Sequence, residues 1–336
     1  MSSIHIDHKQ GIYTGRKELY ENELACYWYQ YFPNFSNQKI ALLGFASDQG
    51  VNRNQGRIGA KYAPQIIKSA LAKLPISLRL QKLYSGKLDT LIGDAGEIIC
   101  LDNDHIVSGL LEDAQHRYSE KVASLIKQEK FVIGLGGGHE IAWGSFLGLY
   151  QGLTVFKKHE QRIGIINIDA HLDLRQSPDA TSGTPFRQIA EYLGARLQSF
   201  NYFCIGISQF SNTAALFERA GKLGVNIISD DDCCRLEWSK IETQILSFIE
   251  PLDSLYLTID LDCLQSGIMP AVSAVAAKGL SLDFVERCIL TIIKTGKVRL
   301  IDIAEYNPHY DIDGKGEKVV ARMLAGIIEQ QLQQFM

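Results

Sequence analysis

The chain has 336 residues, 46 % hydrophobic and 21 % charged, with a formal net charge of −4. That size allows a large buried core, and the mild negative charge, without blocks of Lys/Arg and interleaved aromatics, argues against a nucleic-acid partner. No run approaches the roughly 18 apolar residues a membrane span needs, so no membrane partner is expected. Seven cysteines are present, with no C-x-x-C and with Cys233 and Cys234 adjacent. This is not a disulfide framework and suits a reducing cytoplasm. The polar start, Met1-Ser2-Ser3-Ile4-His5, carries no apolar signal-peptide core, which gives the same expectation.

In chain order, the first 35 residues hold several aromatics (Tyr13, Tyr20, Tyr27, Trp28, Tyr29, Tyr31, Phe32) and read as a helical appendage packing on the core. Strands are expected at Lys39–Phe45, Phe131–Leu135, Arg162–Ile168, Tyr202–Ile207, Asn226–Ser229, Ser254–Ile259 and Val298–Ile303. Amphipathic helices are expected between them, at Ala63–Leu74, Asp104–Gln128, Glu140–Tyr150 and Phe186–Leu193. Further ones follow at Thr213–Gly221, Trp238–Phe248, Leu282–Lys294 and Glu317–Gln333. This βαβα order predicts an α/β fold, three-layer α/β/α, with a largely parallel central sheet. The strand runs are continuously apolar, as both-sided burial requires. No linker, repeat or low-complexity segment divides the chain, so residues 1–336 read as one domain.

Chemistry concentrates after the expected strands. Asp169, His171 and Asp173 follow one apolar run at two-residue spacing, and Asp260 and Asp262 end another. In extended backbone such positions share a side, so their side chains converge. His139 follows a third run and a triple glycine, and Glu305 a fourth. Ligands in parallel sheets bind outside the carboxyl ends of the strands, which places all of these on one edge. Any single Asp is commonly a cap or turn former, but five spaced ligands with His139 predict a binuclear metal centre. Four carboxylates offset two divalent cations and leave room for a bridging hydroxide. Oxygen-rich ligands with one imidazole per ion favour manganese, with zinc, nickel or cobalt as substitutes. The glycines of Gly134–Gly138 lack the G-x-G-x-x-G register of a dinucleotide loop and suggest close backbone approach to the metals.

These blocks, Gly136–Glu140 (GGGHE), Asn167–Arg175 (NIDAHLDLR), Thr258–Leu264 (TIDLDCL) and Asp302–Asp311 (DIAEYNPHYD), resemble the signatures of the ureohydrolase superfamily of arginase, agmatinase and formimidoylglutamase. The resemblance runs from about residue 39 to the C-terminus. It implies an arginase-like fold, two Mn2+ ions held by His139, Asp169, His171, Asp173, Asp260 and Asp262, and trimers or hexamers. Val51–Ala60 and Ser182–Ile189 look most like the formimidoylglutamase branch, and the histidine usual in arginases is replaced around Thr184-Pro185-Phe186. Val275 departs from the family's proline after Ser273-Ala274.

The resemblance therefore implies hydrolysis of a linear amidine, N-formimidoyl-L-glutamate plus water giving L-glutamate and formamide in histidine degradation, by a metal-bridging hydroxide. Asp173 would orient that hydroxide and serve the leaving nitrogen, and Glu305 would hold the cationic amidine. Arg187 and Arg175 are candidates for the substrate carboxylates, with surface salt bridging as the alternative. Asn52 and Asn54 are candidates for substrate contact or for turn formation. His309 is a candidate for the pocket wall, and His5, His8, His105, His116 and His159 read as surface residues. A urea-releasing hydrolase of agmatine, guanidinobutyrate or arginine is the alternative within the class, and a non-catalytic metal-binding relative the alternative outside it.

Overall fold

A computed structural model describes residues 3–6, 11–84, 87–100, 109–154 and 161–335. Among the described residues nine strands form one sheet: β1 (Ser3–Ile6), β2 (Ile40–Ala46), β3 (Ile92–Cys100), β4 (Phe131–Gly136), β5 (Ile163–Ile168), β6 (Asn201–Ile207), β7 (Asn226–Ser229), β8 (Ser254–Asp260) and β9 (Val298–Ala304). Their spatial order is β1-β3-β2-β4-β9-β8-β5-β6-β7. Only β1 runs antiparallel, against β3. The other eight are parallel.

Helices cover both faces. The first half carries α1 (Gln49–Arg53), α2 (Ala63–Ala72), α3 (Leu78–Tyr84), α4 (Leu110–Lys127) and α5 (Ile141–Thr154). The second carries α6 (Pro185–Gly194), α7 (Ala214–Lys222), α8 (Asp230–Arg235), α9 (Trp238–Ile249), α10 (Leu282–Lys294) and α11 (Lys315–Gln333). Strand β8 shows why the sheet needs both layers. Leu255, Leu257 and Ile259 join one apolar cluster, and Tyr256 between them joins the other. Helix α10 shows the matching pattern at helical period. Ser281 caps Phe284 N, and Val285, Cys288, Ile289, Ile292 and Ile293 form the buried stripe.

Two expectations change. The N-terminal region is not a helical appendage. Its described part is a sheet-edge strand and one short 3-10 turn, Trp28–Tyr31, that buries Trp28. Bulky aromatics here serve as anchors: Trp28 and Phe32 enter the core and Tyr13 stacks on Phe32. Strand β3 was also not anticipated, because Asp94 and Glu97 interrupt its apolar run; both are buried against Lys68 of α2. The start expected at Asp104, and His8, His105 and His159, lie outside the described residues, as does the side chain of His5. His116 is exposed on α4.

What the topology does for function is specific. The strands that precede His139, Glu305, Asp260 and Asp169 are β4, β9, β8 and β5, four contiguous members at the sheet's centre. Their carboxyl ends therefore form one continuous edge.

Candidate metal centre

The expected ligands meet at that edge, although by turns and not by extended pitch. Asp169 Oδ1 accepts from His171 N at 2.6 Å, and Asp260 Oδ1 from Asp262 N at 2.9 Å. Each Asp thus folds the chain back on itself, bringing its i+2 neighbour alongside. Asp173 has φ 48° and Glu305 φ 70°, a left-handed backbone that costs a non-glycine residue energy and clusters at functional sites. Glu305 N is held by Gly137 O at 2.8 Å, and Glu305 Oε1 in turn accepts from His139 N at 2.8 Å.

The triple glycine serves a different contact from the one expected. A Cβ on Gly137 would collide with the Ser47 carbonyl, so this glycine lets the loop after β4 pack on the loop after β2. Behind it, Glu140 is fully buried and accepts from Ser47 Oγ at 3.2 Å and Gly50 N at 2.9 Å. Burial pushes its carboxyl up to about 7.

Two groups of donors result. His139 Nδ1 lies 3.3 Å from Asp169 Oδ2, 3.0 Å from Asp173 Oδ2 and 3.1 Å from Asp260 Oδ2. His171 Nδ1 lies 3.0 Å from Asp262 Oδ2 and 3.5 Å from Asp169 Oδ1. Within each group the donor atoms lie inside 4.8 Å of one another. Asp169 gives one oxygen to each group, the geometry of a bridging carboxylate.

The electrostatics ask for a cation. Burial drives the carboxyls of Asp260 and Asp173 upward, with Asp262 and Asp169 respectively adding repulsion. Burial likewise lifts Asp262 to about 6 and Glu305 well above the usual carboxylate range. Asp169 goes the other way: burial opposes it, but the two imidazoles facing it hold it low. The His171 ring is raised foremost by the Asp262 charge. Among the described residues no lysine or arginine pairs with these carboxylates, and His139 Nδ1 and Asp262 Oδ1 are buried without a hydrogen bond. Four aspartates and two imidazoles with no thiolate fit hard divalent cations.

A cavity of about 120 Å³ opens onto the cluster, lined by Asn54, His139, His171, Asp173, Arg175, Ser182, Asp260, Asp262, Ser273, Ala274 and Glu305. Larger cavities lie elsewhere, such as the mostly apolar groove of about 380 Å³ beside Trp28 and Met323, but none holds this chemistry. Arg175 is exposed at the mouth, and its guanidinium has no partner among the described residues. Arg187 is elsewhere: it donates to Arg175 O at 2.8 Å and to Glu191 at 2.7 and 2.8 Å, and does not line the cavity. Asn52 also stays outside, whereas Asn54 lines the wall and donates to Ser182 Oγ at 3.3 Å. His309 packs on Tyr62 outside the lining. Ser182, Ser273 and Ala274 were not anticipated as wall residues, although the motifs containing them stood out. At the loop that carries a histidine in arginases, Thr184 bonds Gln188 and Phe186 sets its ring against His139 at 5.4 Å.

A sequence profile of the arginase family matches residues 38–329. A formimidoylglutamase from Psychrobacter cryohalolentis is 56 % identical over 333 residues, covering 95 % of this chain and 96 % of its own. One from Chromobacterium violaceum is 42 % identical over 315 residues, covering 93 % of this chain and 95 % of its own. Among solved structures, formimidoylglutamase from Bacillus subtilis superposes with TM-score 0.76 at 22 % identity, over 95 % of this chain and 96 % of that one. Trypanosoma cruzi formiminoglutamase with Mn2+2 gives 0.75 at 23 %, over 90 % and 97 %. The family match takes in strands β2 to β9 and all six donors, and the chain belongs to the arginase family.

Proposed function

We propose that this chain is a manganese hydrolase of a carbon–nitrogen bond in a linear amidine, with N-formimidoyl-L-glutamate and water giving L-glutamate and formamide. The observation that carries the choice of substrate is the 56 % identity, over 95 % of the chain, to a formimidoylglutamase. The cavity is consistent with it: an acidic floor suits a cationic amidine, and Arg175 at the mouth suits a carboxylate.

His139, Asp169, Asp173 and Asp260 would hold one Mn2+, and Asp169, His171 and Asp262 a second. Bound there, the ions supply Lewis acidity that brings the pKa of water toward neutrality. Glu305, anchored through Oε1 by His139 N, has Oε2 to pair with the amidinium and favour addition to its carbon. Asp173 orients the attacking oxygen and passes its proton to the glutamate nitrogen as the C–N bond breaks. Asn54 and Arg175 bind the substrate carboxylates at the mouth. Arg187 supports Arg175 by holding its carbonyl.

The same reading puts the protein in the cytoplasm, in histidine degradation, as a homo-oligomer of three or six chains. No helix among the described residues is long and apolar enough to cross a membrane. The test is turnover by Mn2+-loaded protein of formimidoylglutamate, agmatine, guanidinobutyrate and arginine, with formamide and urea measured separately. Formamide from formimidoylglutamate alone is the expected result. Urea from a guanidino compound would overturn the substrate assignment and keep the metal chemistry.

A further inference from the structure

Beneath the ligand carboxylates runs a row of polar side chains that the reaction above leaves unused. The register of β5, β8 and β9 sets Asn167 beside Thr258 and Thr258 beside Asp302. Asn167 stands two residues before Asp169, and Thr258 two before Asp260. Positions i and i+2 share a face of a strand, so the row lies directly under the ligands. All three side chains are wholly buried. The centre of a parallel sheet is ordinarily apolar, and burying amide, hydroxyl and carboxyl there costs free energy unless each is paired.

The pairing is directed at the cluster. Thr258 Oγ1 lies 2.9 Å from His139 Nε2, the ring nitrogen opposite the one facing the carboxylates. Asn167 Nδ2 donates to Asp169 Oδ2 at 2.9 Å. Asp302 Oδ2 accepts from Ser145 Oγ at 2.5 Å and Tyr256 Oη at 2.6 Å, whereas its Oδ1, like Asn167 Oδ1, is buried without a hydrogen bond. Gly134, beside Asp302 on β4, keeps the space open: a Cβ there would lie 2.5 Å from Tyr118 Oη and 2.9 Å from Asp302 Cβ.

The direction of the hydrogen bonds then matters. A threonine hydroxyl has one proton. Asp302 is its register neighbour and has Oδ1 buried with no other donor, so that oxygen is the acceptor to which the proton can turn; Oγ1 then can only accept from His139, and Nε2 carries the hydrogen. Nδ1 is left with its lone pair toward Asp169, Asp173 and Asp260. With the hydroxyl turned the other way, Nδ1 would be protonated and unable to ligate a cation.

We propose that Thr258, backed by Asp302, is a positioning residue that fixes His139 as the Nε2–H tautomer and so presents Nδ1 to a divalent cation. Outer partners of this kind, with a hydroxyl between carboxylate and imidazole, set the orientation and affinity of a metal-binding histidine. The inference rests on the metal-centre reading.

The test is Mn2+ binding to chelator-treated full-length protein, read from the electron paramagnetic resonance of free Mn2+. Thermal melts of the metal-free and loaded forms accompany it. Thr258→Val, close in shape but without the hydroxyl, is expected to weaken one Mn2+ by about 10–100-fold. Thr258→Ser should restore the parental affinity. The metal-free melt of Thr258→Val should stay near the parent's, with the loss confined to the stabilisation that Mn2+ adds. If Thr258→Val does not fold, Asp302→Asn replaces it, since an amide that donates to Thr258 reverses the chain of hydrogen bonds. Unchanged Mn2+ affinity in the variant, or an equal drop in both melts with affinity intact, would overturn the inference. A parent that binds no Mn2+ overturns the metal-centre reading beneath it.

Discussion

Two buried acidic clusters share this sheet, and they differ in where the positive charge comes from. At β3, Asp94 and Glu97 face Lys68, whose Nζ lies 2.8 Å from Asp94 Oδ1 and 3.2 Å from Glu97 Oε1. Tyr13 Oη donates to Asp94 Oδ2 at 2.8 Å, and Gln65 Nε2 to Glu97 Oε2 at 3.2 Å. Every carboxylate oxygen there has a partner in the chain. At the ends of β5 and β8, four aspartates face only two imidazoles, with donor atoms left unpaired. Burying charge is tolerable only when it is paired. The first cluster brings its own cation and is structural; the second has no such partner among the described residues and could hold a metal ion in that position.

The largest effects come from breaking each cluster in its own way. Asp173→Asn should lower kcat by about 10³–10⁴-fold if, as proposed, the position both ligates a cation and handles the proton. Some Mn2+ should remain bound through His139, Asp169 and Asp260. Steady-state rates with Mn2+ counted by elemental analysis check this, and a variant with near-normal turnover would remove Asp173 from the mechanism. Lys68→Met should cost about 3–5 kcal/mol, since two buried carboxylates lose their partner. Denaturant unfolding should show that loss equally with and without Mn2+. A loss that metal rescues would mean the two clusters are coupled.

A second contrast is the response to pH. In the metal-free protein Asp173, Asp260, Asp262 and Glu305 have folded pKa values raised above their unfolded ones, and so do His139 and His171. For all six, the folded state binds more protons, so the stability they add is present below the unfolded value and is lost as pH rises through the folded one. Asp169 has the opposite sign, and its contribution is lost only as pH falls below the ordinary carboxylate range. The metal-free melting temperature should therefore fall from about pH 4 through the Asp262 value of about 6 and onward. Mn2+ displaces those protons, so its affinity should rise over the same window. At a hundred times Kd it adds about 2.7 kcal/mol. Calorimetry of chelated and loaded protein should show the gap widening with pH. A gap that is constant from pH 5 to 8 would place the cation elsewhere.

The same contrast explains what the amino-acid sequence reveals. The metal donors are legible because unpaired acids repeated at strand ends have few structural uses. β3 is not legible, because its two acids look like loop residues until Lys68, from another element, is known to neutralise them. Thr258 and Asp302 were visible within motifs, but their use depends on the register of β8 against β9, which no local pattern states. The convergence of Asp169 with His171 was anticipated from strand pitch and is achieved by a turn, so the outcome was legible and the route was not. Arg187, the first choice from sequence for the substrate carboxylates, lies off the cavity, and Arg175, the second choice, lines it. Only helix α6 shows that Arg187 meets Glu191 one turn on.

That last pair gives the smallest and most discriminating prediction. Among the described residues the Arg175 guanidinium at the cavity mouth has no partner, whereas Arg187 spends its own on Glu191, Arg175 O and Ser177 O. If Arg175 pairs a substrate carboxylate, Arg175→Ala should raise KM for formimidoylglutamate by about 10–100-fold, the value of a charged hydrogen bond, with a smaller change in kcat. Arg187→Ala removes an exposed ion pair and two carbonyl contacts that steady the segment 175–177. Its effect on KM should stay within about fivefold. Arg187→Lys keeps the charge but cannot reach both carbonyls and Glu191 together, so it should resemble Arg187→Ala and not the parent. Michaelis–Menten constants for the three variants decide the matter. Equal KM increases for Arg175→Ala and Arg187→Ala would show that both arginines reach the substrate, with Arg187 leaving Glu191 to do so.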